Sequence, residues 1–168
     1  MKTLILMRHA KSSWKDSKVD DHERPLSKRG EKDAPAMAGL ILEKELIPQK
    51  ILCSTSKRTR QTVDIIAKVC SYHGDVVYLK TLYMAEAEVI VEVLNNLPDS
   101  MERVLVMGHN PGLETLLQGL TRQVVPFPTA SVAHLVLPVK SWSDLKIDTE
   151  AELAECWRPR DVKEKQKK

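Results

Sequence analysis

The sequence predicts an α/β fold of three layers, α/β/α, with a mostly parallel sheet and an antiparallel edge. Short apolar runs recur along the chain: TLILM at 3–7, KILCS at 50–54, DVVYL at 75–79 and RVLVMG at 103–108. Runs of that length and composition suit strands covered on both faces. Between them, apolar residues fall at helical spacing. Strand and helix therefore alternate, as in βαβ units with helices on both sides of a sheet.

Taken in order, the first helix is expected from Glu31 to Leu46, with Met37, Leu40 and Ile41 on one face. A second follows Lys57 and turns Val63, Ile66, Val69 and Cys70 inward. A third carries Val89, Ile90, Val93, Leu94 and Leu97, and a fourth runs from Pro111 to Leu120 behind the opening signal Asn110-Pro111. After Phe127 the pattern changes. SVAHLVLP and AELAECW read as strands joined by the turn-rich KSWSDLKIDT, too short for a crossover helix. This is the expected antiparallel edge. Residues 10–30 form a long polar loop, and loops of that length tend to be functional or disordered.

The 168 residues suit one domain, taken as 1–158, followed by a charged, frayed tail at 159–168. Net charge is +3, a basic excess too small to imply nucleic acid and compatible with an anionic substrate. Cys53, Cys70 and Cys156 are odd in number and lie in no CxxC or CxxH unit, so they read as reduced thiols in or near the core. The opening apolar run is too short for a signal peptide, and no stretch reaches the roughly 20 apolar residues of a membrane span. A cytoplasmic protein with no membrane partner is expected.

Ligands of open α/β sheets bind beyond the carboxyl ends of the strands. The first strand delivers Arg8-His9 there, the second Ser54-Thr55-Ser56 and then Lys57, Arg58 and Arg60, and the fourth Gly108-His109-Asn110-Pro111-Gly112. Each has a plain reading: an Arg-His pair arises by chance, and GHNPG suits a strand-to-helix turn. Arg58 and Arg60, however, fall in a helix's first turn, where cations are disfavoured unless an anion is bound. Their coincidence at strand ends points to a phosphate pocket. There is no GxxxxGK[ST] loop and no GxGxxG after the first strand. Only four residues, none of them glycine, separate Cys53 from Arg58, which does not fit a Cys-x5-Arg loop. Histidines among arginines, with no fixed carboxylate, make a poor metal site. What remains is histidine acting as a nucleophile on phosphorus.

At these residues the chain resembles the histidine phosphatase superfamily, the phosphoglycerate-mutase-like proteins. The resemblance lies in Arg8-His9, Ser54-x3-Arg58-x3-Thr62 and Gly108-His109. MRHAKSSW, the DxERPLSxRG-like stretch at 21–30, LYMA, GHNPGLE, PTASVAHL and RPRD further resemble the SixA-type phosphohistidine phosphatases. The resemblance implies that His9 accepts the phosphoryl group and that water then releases it. One ring nitrogen of His9 must then be unprotonated; the neighbouring Arg8 and Arg58 lower its proton affinity, and the other nitrogen is expected to donate to a backbone carbonyl. Arg8, Arg58 and His109 are placed to stabilise charge on the transferring group, and Arg forks bind two oxygens at once.

Arg24 matches an additional SixA-type phosphate arginine, or is held by Asp20, Asp21 or Glu23. Ser12 orients the loop or bonds phosphate, and Trp14 is a lid or a substrate contact. Superfamily members acting on esters carry an acid after the third strand. Here Glu86 and Glu88 are available, but in a first helical turn where acids are favoured anyway. If Glu86 is not poised as an acid, P–N substrates are favoured over P–O. The span from Leu79 to Glu102 is too short for a roof, so a side chain on another protein has access. The leading expectation is a phosphohistidine phosphatase acting on a phosphohistidine-bearing protein, with no metal and no cofactor. The alternatives are a general small-molecule phosphomonoesterase using Glu86, and a non-catalytic phosphoprotein-binding module. A mutase needs a closed site. The oligomeric state is left open.

Overall fold

The computed structural model describes residues 1–166. Its elements are β1 (Lys2–Arg8), α1 (Lys28–Glu43), β2 (Lys50–Ser54), α2 (Lys57–Val69), β3 (Asp75–Leu79), α3 (Ala87–Asn95), β4 (Arg103–Gly108), α4 (Gly112–Thr121), β5 (Val132–Leu137), β6 (Glu152–Trp157) and α5 (Pro159–Gln166). The six-stranded sheet has the order β3-β2-β4-β1-β5-β6. The first four in that order pair in parallel, whereas β5 runs antiparallel to β1 and β6 to β5. The three-layer α/β class and its antiparallel edge are therefore as expected.

The period of two along each strand sorts side chains between two cores. Ile5, Met7, Ile51, Cys53, Leu105 and Met107 face α1, α2 and α5. Leu4, Leu6, Leu52, Val104 and Val106 face α3 and α4. The expected two-sided burial fails at β3, none of whose residues is fully buried. It is an edge strand with one neighbour, so half its surface has nothing to pack on. Val69 is likewise exposed rather than inward-facing, because it ends α2 beyond the packed turn.

The first helix begins three residues earlier than the apolar pattern suggests. The Ser27 hydroxyl accepts from the Gly30 amide and caps it. It closes with left-handed Glu45: the Leu46 amide bonds the Ile41 carbonyl, and that of Glu45 bonds Leu42. Loop 10–30 is ordered. Ser12 and Leu26 form a β-bridge, Ser13 N–H donates to the Pro25 carbonyl, and a 3-10 turn spans Asp21–Glu23.

The supposed tail departs most from expectation. Pro159–Gln166 is a helix packed against α1, and only residues 167 and 168 of that tail lie outside the described residues. Pro159 suits a first helical position, and Asp161 Oδ2 accepts from the Arg158 amide at 3.0 Å. Val162 joins the core on that face, and Lys163 Nζ reaches fully buried Asp33 Oδ1 at 2.7 Å. The frayed reading weighed the charge run and missed the R-P-R-D start signal.

Gly30 lies where α1 crosses the loop backbone: a Cβ there would stand 2.2 Å from the Lys11 carbonyl oxygen. Gly39, on the same helix, has open space around its missing Cβ. Gly30→Ala should destabilise by about 1–3 kcal/mol through backbone displacement. Gly39→Ala should stabilise by about 0.5–1 kcal/mol. Urea denaturation of the two variants checks the opposite signs.

Candidate active site

Because β4 lies between β1 and β2, the carboxyl ends of three adjacent strands converge. Arg8 is level with Gly108 across β1–β4, and Cys53 with Met107 across β2–β4. The next residues out are His9, Ser54 and His109. The imidazole centroids of His9 and His109 stand 5.2 Å apart. A cavity of about 280 Å³ opens over them, lined also by Arg8, Ser12, Arg24 and Arg58.

His9 is 6% exposed. Its Nδ1 lies 2.8 Å from the Ala10 carbonyl oxygen, which can only accept, so the neutral ring carries its proton on Nδ1. Nε2 is left with its lone pair, 3.4 Å from Arg58 Nε. Burial is the largest influence on this ring and holds its pKa down to about 3, against the Ala10 bond and helped by Arg58, Arg8 and Arg24. The arginines act as expected, but desolvation outweighs them. His109 is likewise pushed to about 3, first by burial and then by His9 and Arg58. Its Nδ1 faces Arg58 Nη2 at 3.5 Å and its Nε2 meets Ser54 Oγ at 2.7 Å. A guanidinium donates only, so Nδ1 accepts and Nε2–H donates to Ser54.

Arg58 is 2% exposed. Its Nη1 donates to the Asp21 carbonyl at 2.7 Å and its Nη2 to Asp21 Oδ2 at 3.1 Å. Asp21 Oδ1 also takes Arg24 Nε at 3.1 Å and Nη2 at 3.0 Å, while the Tyr83 hydroxyl donates to Oδ2. Burial tends to raise the Asp21 pKa, but Tyr83, Arg58 and Arg24 together overrule it and hold it at about 2. One carboxylate thus fixes two guanidinium groups. Sequence reasoning named Asp21 only as a possible anchor for Arg24; its reach to Arg58, 37 residues away, follows from the folded loop. Ser54 stood in the Ser54-x3-Arg58-x3-Thr62 motif without a role assigned to it, and Tyr83 carried no signal beyond its place in LYMA.

Arg24 Nη1 donates to Ser12 Oγ at 2.6 Å, and its guanidinium lies 3.5 Å from the Trp14 ring centroid. Trp14 lines the cavity rim and is 70% exposed, so it does not cover the site as a lid. Arg8 donates from Nη1 to the Phe127 carbonyl at 3.3 Å, and its Nε is buried without a hydrogen-bond partner among the described residues. Glu86 stands exposed at the N-terminus of α3 without a side-chain capping bond and is not among the cavity-lining residues, and Arg60 is also absent from them. Cys53 is fully buried, and burial pushes its thiol up to about 12, so it stays protonated. Among the described residues no group of three or more His, Cys, Asp or Glu is arranged to hold a metal, and no helix is long and apolar enough to cross a membrane.

Two imidazoles and three guanidinium groups thus meet at the strand ends of this sheet. The chain belongs to the histidine phosphatase superfamily (branch 1), whose family model matches residues 4–82, and within it to the SixA type. It is a phosphatase. An uncharacterized chloroplastic protein of Arabidopsis thaliana is 35% identical over 151 residues, 84% of this chain and 69% of its own. A candidate phosphohistidine phosphatase SixA from Nakamurella multipartita superposes with a TM-score of 0.79 at 30% identity, covering 94% of this chain and 96% of that one. Another, from Agrobacterium tumefaciens, gives 0.82 at 25% identity over 94% and 98%.

Both imidazoles have folded pKa values near 3 against an ordinary 6.5. The unfolded chain therefore binds more protons between those values, and stability must fall as pH drops from 6.5 toward 3. Each ring contributes a slope of up to about 1.4 kcal/mol per pH unit. Two measurements check this in the ligand-free protein. The ring nitrogen shifts of His9 and His109 should stay those of neutral imidazole down to pH 5, and His109→Gln should flatten the acid side of the stability profile.

Proposed function

We propose that this phosphatase hydrolyses phosphohistidine carried on a protein, through a phosphohistidine formed on its own His9. The observation that carries the reading is the His9 ring: neutral, with its proton engaged on Nδ1 and its Nε2 lone pair turned to a cavity lined by Arg8, Arg24 and Arg58.

In the first step Nε2 attacks phosphorus, and the bond from phosphorus to the substrate's imidazole nitrogen breaks. In the second, water attacks the phosphorylated His9, inorganic phosphate leaves and the neutral ring is restored. The transition state places charge on three equatorial oxygens. Arg8 offers its unpaired Nε, Arg58 and Arg24 offer guanidinium groups already oriented by Asp21, and His109, hydrogen-bonded to Ser54, accepts from Arg58 Nη2 and helps to aim it. Ser12 holds Arg24 and lies beside the bound group.

The leaving group decides between P–N and P–O substrates. The one carboxylate lining the cavity among the described residues is Asp21, held near 2 and therefore ionised at neutral pH. It cannot protonate an alkoxide. A leaving imidazole carries its own proton and needs no such acid, so the acid role weighed for Glu86 is not required. Between β3 and β4 stand only a 3-10 turn at Lys80–Leu82 and the nine-residue α3, which leaves room for a side chain displayed on another protein. The Nakamurella and Agrobacterium relatives carry the same activity in their names.

Rapid quench with a 32P-phosphohistidine protein should trap label on wild-type protein and none on His9→Ala. Phosphohistidine should be hydrolysed in preference to p-nitrophenyl phosphate; the reverse ranking overturns the substrate assignment. Arg58→Lys, which loses the fork, should lower kcat on the order of 10²–10³-fold. Glu86→Gln should leave the phosphohistidine rate unchanged.

A further inference from the structure

A second cavity, of about 420 Å³, adjoins the first and shares Thr129 with it. Parts of three motifs that the chemistry does not use meet there: Glu114 from the end of GHNPGLE, the Pro128-Thr129 start of PTASVAHL, and Arg158-Pro159-Arg160 from RPRD. Arg29, from the first turn of α1, closes the far side.

The wall between the cavities is fixed. The Phe127 carbonyl accepts from Arg8 Nη1 at 3.3 Å and Asn110 Nδ2 at 2.8 Å, and its amide donates to Glu114 Oε1 at 2.9 Å. Phe127 is fully buried under the groove, and Pro126, Pro128 and Pro159 stiffen its sides. These prolines offer no N–H to a passing strand, so recognition there falls to side chains. Glu114 is occupied by the Phe127 amide and by Asn110 Nδ2 at 3.0 Å. Arg158 Nε donates to the Pro126 carbonyl at 3.2 Å, which fixes it on the groove wall, and its Nη1 lies 3.9 Å from Asp161; Arg29 lies 3.4 Å from Asp33 and Arg160 3.9 Å from Asp161. Arg29 and Arg160 also stand in first helical turns, where a cation is unfavourable until an anion compensates it.

We propose that this groove binds an acidic segment of the substrate protein, carboxylates on Arg29, Arg158 and Arg160, while the neighbouring phosphohistidine enters the cavity above His9. The proposal rests on the functional reading for the identity of the substrate, but the charge complementarity of the groove stands without it. A rigid apolar floor rimmed by three arginines suits an extended peptide better than a small ion, which would leave the floor bare. Rim charges of this kind act on encounter and KM more than on chemistry.

The test uses the whole chain and unphosphorylated peptides, so that it does not depend on turnover. A peptide with a histidine flanked by aspartates is compared with its asparagine counterpart by amide chemical-shift titration. The aspartate peptide should shift the amides of Thr129, Arg158 and Arg160 and bind at least about tenfold more tightly. Arg29→Glu/Arg160→Glu should abolish that binding, as should the more conservative single Arg160→Glu in part. With the phosphorylated aspartate peptide, the double variant should raise KM about tenfold at unchanged kcat, and free phosphohistidine should be hydrolysed as by wild type. Equal binding of the two peptides, shifts elsewhere, groove shifts reproduced by inorganic phosphate alone, or a parallel loss on free phosphohistidine each overturn the proposal. Selective binding by a wild-type protein that does not hydrolyse phosphohistidine would uphold the groove and sink the substrate reading.

Discussion

An excess of buried positive charge governs this site. Arg8, Arg24 and Arg58 converge on one small cavity, and the carboxylate among its lining residues is Asp21. Asp21 is already shared between two of the guanidinium groups. Burying cations without equal counter-charge is costly unless a ligand supplies it. The site is thus built for an anion with several oxygens. The same field, added to desolvation, keeps both imidazoles uncharged. The condition that attracts a phosphoryl group also leaves a free lone pair on the ring that faces it.

The fold sets that condition through sheet order. With β4 placed between β1 and β2, residues a hundred positions apart become neighbours at one edge. The strands deliver the histidines, but they do not hold the arginines in place. Arg8 rests on the Phe127 carbonyl, and the other two fall to loop 10–30, which brings Asp21 across to Arg58 and braces Arg24 on Ser12 and Trp14. The loop is anchored in turn by Ser27 and Gly30 against Lys11. Its length reads as irregular chain, yet its Ser12, Ser13, Trp14 and Asp21 each contact an arginine of the site.

A site so dependent on charge, with Asp21 as its lining carboxylate and no roof between β3 and β4, divides its tasks. Binding and transition-state stabilisation are local and rigid. Around the opening, α5 and the Phe127–Thr129 segment form a second, arginine-rimmed wall. The helix that ends the described chain lines that second cavity and braces α1 through Asp33.

The sequence by itself determined the fold class, all six strands to within a residue or two, and the convergence of Arg8, His9, Arg58 and His109. Those follow from local periodicity and from the rule that strand ends carry ligands, and both survive translation into three dimensions. What periodicity cannot reveal is which strand lies at an edge, so β3 reads as buried and is half-exposed. Nor can it weigh a charge run against a start signal, so α5 reads as tail although Pro159 and Asp161 mark its first turn. Asp21's hold on Arg58, the Ala10 carbonyl on Nδ1 of His9 and the withdrawal of Glu86 from the cavity were decided by tertiary structure alone. Each depends on the direction of a side chain or carbonyl relative to a group far away in sequence or across a turn. Direction is settled only when packing closes the alternatives.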